Sequence, residues 1–314
     1  MLPRIVEVTQ PKTKIRFENE LLVLELPDKP TFTVPINEVG TLLITQSSVS
    51  ISGMVLVRLA EPGIPLICCN ERFLPIGALF SFNEHSRQSR FFIEQAKAAL
   101  PLKKQLWKQI VQAKIKSQAD LLRFYHLDDS ALRPLVARVS SGDRKNLEGQ
   151  AARLYWDRLA LMPQRDRKAE DVNRLLNYAY TILFALAARA VCTAGLHPSL
   201  GIHHHNEYNP YCLASDLMES FRVAADEAVL VHFRETGSHS LDRETRQFLA
   251  RAVTQARFLA GRRKVDIFSA LVQSSVSLRH CFQKASQSLV LPEYILGSVP
   301  KQKGGKTDVA PCAF

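Results

Sequence analysis

The stretch RIVEVTQPKTKIRFENELLVLELPDKPTFTVPINEVGTLLIT, residues 4–45, decides how the first part of the chain folds. Its β-branched and aliphatic residues come in short runs: Arg4 to Val8, Lys14 to Phe17, Leu21 to Leu26, Thr31 to Val34 and Thr41 to Thr45. Pro, Gly, Asn and Asp interrupt them every few residues, and runs this short between turn-forming residues predict the strands of a small sheet domain. Just beyond, Ile51, Met54, Val55 and Leu59 recur at helical spacing until Pro62-Gly63 stops them. Ile64 to Cys68 then resumes strand character, so one helix is expected among the strands.

The texture changes near Phe82-Asn83. From Gln88 to Gly142, long segments carry helical periodicity with few Gly or Pro. Further on, Leu175, Leu176, Ala179, Leu183, Leu186, Ala187 and Ala190 form a broad apolar surface that ends at Gly195. Such breadth predicts a buried helix. The expected class is therefore α+β: a β-rich domain over residues 1–83, a larger all-helical domain over 84–299, and a mobile Gly- and Lys-containing tail over 300–314. No internal repeat is evident.

A chain of 314 residues, 46% of them hydrophobic, is long enough to bury a substantial core. Of its 41 Lys/Arg and 30 Asp/Glu, only 7 and 8 fall in residues 1–82, so 34 and 22 lie beyond, a net +12 concentrated in the helical part. That distribution favours a polyanionic partner, although a basic surface also serves solubility. The six cysteines, Cys68, Cys69, Cys192, Cys212, Cys281 and Cys312, show no CxxC pair and no disulfide-like spacing, and read as reduced thiols. The first ten residues, MLPRIVEVTQ, lack the apolar core of a secretory signal. No apolar run is read as approaching the roughly 20 residues needed to cross a bilayer, and the chain is expected to be cytoplasmic, without a membrane partner.

Chemistry concentrates in GLHPSLGIHHHNEYNPYCLASDLMESFRVAAD, residues 195–226. A histidine cluster precedes a turn and then two acids, Asp216 and Glu219, one helical turn apart. In the helix expected after Pro210, Leu213, Leu217 and Phe221 make an apolar stripe, leaving the acids on a neighbouring face. Oxygen ligands with one imidazole suit Mg²⁺ or Mn²⁺ better than zinc. Spacing alone leaves open whether Asp216 or Glu219 is a ligand, and equally whether both are simply solvated. A third acid, Glu148, lies near the start of a helix in SSGDRKNLEGQAARLYWDRLAL, residues 140–161, with Asp143 as its expected cap.

The segments LEGQAARLYW, LNYAYTIL, GLHPSLGIHHHNEYN and ASDLMESFR follow one another in this order. Together they resemble the CRISPR-associated endonuclease and integrase family that captures and inserts new spacers. The resemblance runs from the sheet domain to about Gly297, and the Met-Glu form with repeated histidines looks most like the type II branch. It implies that Glu148, His204 and Glu219 hold a catalytic Mg²⁺ or Mn²⁺, with Asp216, His203 and His205 as supporting candidates. His204 is chosen because it stands three residues after Gly201. The implied reaction is attack by the 3′-hydroxyl of a captured DNA fragment on a phosphodiester of the CRISPR repeat, or hydrolysis of DNA at the same site.

The implied partners are double-stranded DNA, a second copy of the chain joined through the sheet domain, and a small ferredoxin-like adaptation protein. Arg262, Arg263 and Lys264 are candidate phosphate contacts, as is Arg222, which is equally suited to pairing with a nearby acid. Two other readings stand beside this one: a general metal-dependent nuclease, and a noncatalytic DNA-architectural protein. Strand transfer separates the first from integration, and DNA processing that survives replacement of Glu148 would favour the second.

Overall fold

The computed structural model describes residues 4–27, 29–79, 81, 85, 87–159, 171–207, 209–284 and 286–300. The boundary expected at Phe82-Asn83, the last residues of the Ser140–Leu161 segment, and the tail beyond residue 300 with Cys312 lie outside the described residues.

The first part holds β1 (Arg4–Val8), β2 (Lys14–Glu18), β3 (Leu21–Glu25), β4 (Phe32–Pro35), β5 (Val39–Ile44), β6 (Ser50–Ile51), α1 (Gly53–Ala60), β7 (Leu66–Cys69) and β8 (Pro75–Leu79). The strands form two sheets, ordered β4-β3-β2-β6 and β1-β5-β7-β8. Asn19 and Glu20, both at positive φ, make the two-residue turn between β2 and β3, a conformation whose twist suits an antiparallel hairpin. Every residue of β5 is buried, because the strand is central and both of its faces are covered.

Alternation along the strands serves two cores. Leu42 and Ile44 of β5 and Leu66 of β7 pack with Val6, Ile15, Leu22, Val55 and Leu59 between the sheets and α1. Leu43 and Ile67 point the other way, into the core of the helical part.

The helical part comprises α2 (Gln88–Ala96), α3 (Leu100–Phe124), α4 (Arg133–Arg138), α5 (Leu147–Leu159), α6 (Val172–Thr193), α7 (Cys212–Met218), α8 (Arg222–Thr236), α9 (Arg243–Gln255) and α10 (Ile267–Phe282). Between α9 and α10 lie β9 (Arg257–Ala260) and β10 (Arg263–Asp266), joined after α10 by β11 (Glu293–Tyr294). This three-stranded sheet, ordered β10-β9-β11, corrects the expectation of an all-helical second part. The turn residue Gly261, at φ 62°, closes the β9–β10 hairpin.

Helix α6 is the centre of the core. It is 22 residues long, and its most apolar 18 residues have a mean hydropathy of 1.5, enough by length and composition to cross a membrane, which corrects the expectation that no apolar run approaches that length. Its apolar window is 89% buried inside the protein, so its surroundings are the rest of the fold. Asp171 caps its N-terminus by accepting the Asn173 backbone N–H at 2.8 Å. Tyr178 donates to Glu7 of β1 at 2.8 Å and Arg189 to the Gly40 carbonyl at 2.8 Å, fastening the sheet to this helix.

Candidate metal centre

Four segments converge beside the middle of α3. Glu148 stands in the first turn of α5, whose start is fixed by Asp143: its two carboxylate oxygens accept the Leu147 and Glu148 backbone N–H groups, both at 2.9 Å. This is the capping role expected of Asp143. The continuous helix expected through Leu213, Leu217 and Phe221 is instead broken. Helix α7 ends at Met218, and Glu219–Phe221 form a 3₁₀ turn before α8. All three stripe residues are nevertheless buried, because the tighter turn keeps them on one side.

Glu148 and Glu219 are brought together. Glu148 Oε1 and Glu219 Oε2 each lie 2.6 Å from Lys114 Nζ, and Glu219 Oε1 lies 2.7 Å from Arg222. Burial alone would raise the Glu219 pKa, but Arg222 and Lys114 outweigh it and hold the carboxyl at about 2. Glu219 is thus a fixed carboxylate. The Arg222 guanidinium also lies 4.7 Å from the centre of the Tyr180 ring, so this side chain takes the pairing role rather than facing outward to DNA.

His204 is positioned by Asp216. Asp216 is fully buried and accepts backbone N–H groups from Ile202 (2.7 Å), His203 (3.0 Å) and His204 (3.0 Å). Its Oδ1 also lies 2.6 Å from His204 Nδ1. This hydrogen bond raises the His204 pKa, burial working against it. An imidazole that donates Nδ1–H presents Nε2 as its lone-pair nitrogen.

Gly201 permits the wrap of the loop around Asp216. A Cβ there would stand 2.3 Å from the His204 carbonyl oxygen and 2.9 Å from Asp216 Oδ2. His203 stacks on Trp107 of α3 at 4.1 Å between ring centres, and Trp107 meets His204 edge-on at 5.8 Å. His205 is exposed and turned to the His203 carbonyl.

Among the described residues, no group of three or more His, Cys, Asp or Glu side chains lies in metal-holding geometry. The donor set nonetheless fits a hard cation. Two carboxylates already share one positive charge, and the neighbouring imidazole has its far nitrogen spoken for by a carboxylate, as metal-binding histidines do. Arg262, Arg263 and Lys264 are exposed on the β9–β10 hairpin.

Sequence reasoning missed Lys114, Trp107 and Asp226. Lys114 had a signal: it falls on the buried stripe of α3 with Ile110, Gln118 and Leu121, a costly place for an unpaired charge. Asp226 of α8 accepts from Tyr155 at 3.0 Å and from Tyr180, and burial pushes its pKa up to about 6.

The chain matches the family described as CRISPR associated protein Cas1 over residues 6–255. It is 39% identical over 209 residues to a CRISPR-associated endonuclease Cas1 of Neisseria meningitidis, covering 65% of this chain and 68% of the relative. A second Cas1 endonuclease, from Hyperthermus butylicus, is 28% identical over 262 residues, covering 75% and 79% of the two chains. In fold, the chain is similar to a casposase bound to integration product, with a TM-score of 0.77 at 15% identity over 91% and 92% of the chains. It is also similar to a CAS1 protein from Thermotoga maritima, with a TM-score of 0.72 at 18% identity over 89% and 97%. The chain belongs to the Cas1 family, the divalent-metal-dependent endonucleases and integrases of CRISPR adaptation.

Proposed function

We propose that Glu148, His204 and Glu219 hold the Mg²⁺ or Mn²⁺ at which this Cas1 chain joins captured DNA to a CRISPR repeat. The observation that carries the reading is the shared cation position of Glu148 and Glu219, with the Asp216-oriented imidazole beside it. When bound, the divalent ion polarises the phosphoryl oxygen and stabilises charge on the attacking and leaving oxygens.

The protein's own groups do the rest. Asp216 fixes the imidazole plane, Arg222 holds one Glu219 oxygen while the other stays on the Lys114 ammonium that Glu148 shares, and the Asp143 cap fixes the start of the helix that carries Glu148. In strand transfer, the 3′-oxygen of the fragment forms a bond to phosphorus as the repeat's bridging P–O bond breaks. The proton lost by the attacking hydroxyl is balanced by one gained by the leaving oxygen, so no protein nucleophile is needed.

Double-stranded DNA is the proposed substrate, in keeping with the net +12 beyond residue 82 and the exposed Arg262, Arg263 and Lys264. A similar fold occurs in a Cas6-RT-Cas1–Cas2 complex, at TM-score 0.73 and 19% identity, and in a TtCas1–DNA complex, at TM-score 0.56 and 19% identity. We extend both kinds of partner to this chain: DNA, and a small ferredoxin-like adaptation protein of the Cas2 kind, with two copies of the chain joined through residues 1–83. The identity to the Neisseria relative and the repeated histidines support a place in the type II branch, acting in the prokaryotic cytoplasm.

The experiment is strand transfer by purified chain and partner in Mn²⁺ or Mg²⁺. Activity should vanish on chelation and in folded Glu148→Ala and His204→Ala proteins that still bind DNA. Full activity in metal-free buffer would end the proposal.

A further inference from the structure

Lys114 lies on the face of α3 that carries Trp107, Ile110, Val111 and Ile115, and only 8% of its surface is exposed. A buried ammonium needs compensating charge, and Glu148 and Glu219 supply it at 2.6 Å each. Those contacts are short enough to be charge-assisted hydrogen bonds. The oxygens involved, Glu148 Oε1 and Glu219 Oε2, both converge on the one ammonium.

Mg²⁺ bound by these carboxylates would sit about 2.0–2.1 Å from the same oxygens. An ammonium 2.6 Å from those oxygens would crowd such an ion and repel it strongly. The two cations therefore compete. Lysine can yield, because its flexible four-carbon stem carries the charge away by torsion alone. Glu219 need not move when that happens, since its other oxygen, Oε1, stays on Arg222 at 2.7 Å. With Lys114 in place, the two glutamates are balanced by Lys114 and Arg222, and the set is neutral. Without it, the set carries one net negative charge and attracts a cation more strongly.

We propose that Lys114 is a resident counter-cation of the metal centre: it holds Glu148 and Glu219 in position, is exchanged for the incoming divalent ion, and so sets the metal affinity of the site. The inference rests on Glu148 and Glu219 being ligands, and it makes Lys114 a positioning residue.

Isothermal titration of Mn²⁺ into DNA-free protein tests both levels. Glu148→Gln should abolish the wild-type binding event; if no Glu148-sensitive event occurs in either wild type or Lys114→Gln, the ligand reading itself fails. Given such an event, folded Lys114→Gln and Lys114→Met should bind Mn²⁺ at least ten-fold more tightly than wild type, and Lys114→Arg no more tightly. Wild-type or weaker affinity in folded Lys114→Gln would overturn the inference, because a merely structural lysine would change stability without tightening the metal. Should both neutral variants fail to fold, acetylation of the Lys114 amine in wild-type protein decides, read by mass spectrometry. Saturating Mg²⁺ should accelerate labelling, and an unchanged or slower rate would contradict the exchange.

Discussion

Asp216 and His204 are bound to each other twice: Asp216 Oδ1 accepts the His204 backbone N–H at 3.0 Å and lies 2.6 Å from its ring Nδ1. Oδ2 is taken by the Ile202 and His203 N–H groups. Four hydrogen bonds fill the acceptor positions of a carboxylate, so Asp216 has none left for a metal. Its place is behind the imidazole. Asp216→Asn should therefore leave measurable strand transfer, with apparent Mn²⁺ affinity or activity lowered about 10- to 100-fold, the usual cost of losing such an orienting partner. Strand transfer titrated with Mn²⁺, beside circular dichroism, measures this; a folded variant with unchanged metal dependence would remove Asp216 from the site's support.

Glu219→Gln should abolish strand transfer, and Glu219→Asp should retain part of it, because the charge survives and only reach is lost. Stability adds a separate readout. The folded carboxyl is held at about 2, below its ordinary 4.5. A depressed carboxylate pKa contributes stability that is full above the unfolded value and is lost as pH falls from about 4.5 toward 2. At pH 7 the Gln variant leaves Lys114 and Arg222 short of a partner and should lose about 3–5 kcal/mol, measured by urea unfolding. Wild-type stability in folded Glu219→Gln would mean that the ion pairs contribute little.

Asp226 behaves in the opposite sense. Burial raises its pKa from 3.8 to about 6, despite hydrogen bonds from Tyr180 and Tyr155. The folded state then holds the proton more tightly than the unfolded chain, so this group's contribution is greatest at pH below its unfolded value and declines as pH rises through about 6. Asp226→Asn should gain up to about 3 kcal/mol relative to wild type at pH 8 and little at pH 4. Urea unfolding at the two pH values checks this, and an equal difference at both would contradict it.

The exposed Arg262, Arg263 and Lys264 predict a salt effect. Affinity for duplex DNA should fall steeply with rising salt, and replacing all three by Ala should reduce the log–log slope by about 2 to 3 if each meets one phosphate. Fluorescence anisotropy across a salt series measures it. An unchanged slope would move the DNA path off this hairpin.

Much of this architecture was legible in the chain. The five strands of residues 4–45, the helix stopped by Pro62-Gly63 and the buried helix ending at Gly195 follow from turn residues and apolar spacing, which act locally. The β9–β10 hairpin was not, because RFLAGRRKVD is rich in charge and each strand spans only four residues. Its partner β11 also arrives from across α10. The break at Glu219 leaves no mark in the sequence, because MESFR contains neither Gly nor Pro. At the site, the segments bearing Glu148, His204 and Glu219 were recognisable in order, whereas Lys114 belongs to none of them, and only folding brings α3 against α5 and the Glu219 turn.

The most direct test of the central claim is anomalous diffraction at the manganese edge from crystals of this chain soaked in Mn²⁺. One strong peak is expected, bonded to Glu148, His204 Nε2 and Glu219, with Lys114 Nζ withdrawn and Asp216 still on His204 Nδ1. A peak ligated by Asp216 instead, or ordered Mn²⁺ elsewhere while Lys114 still bridges the two glutamates, would contradict it.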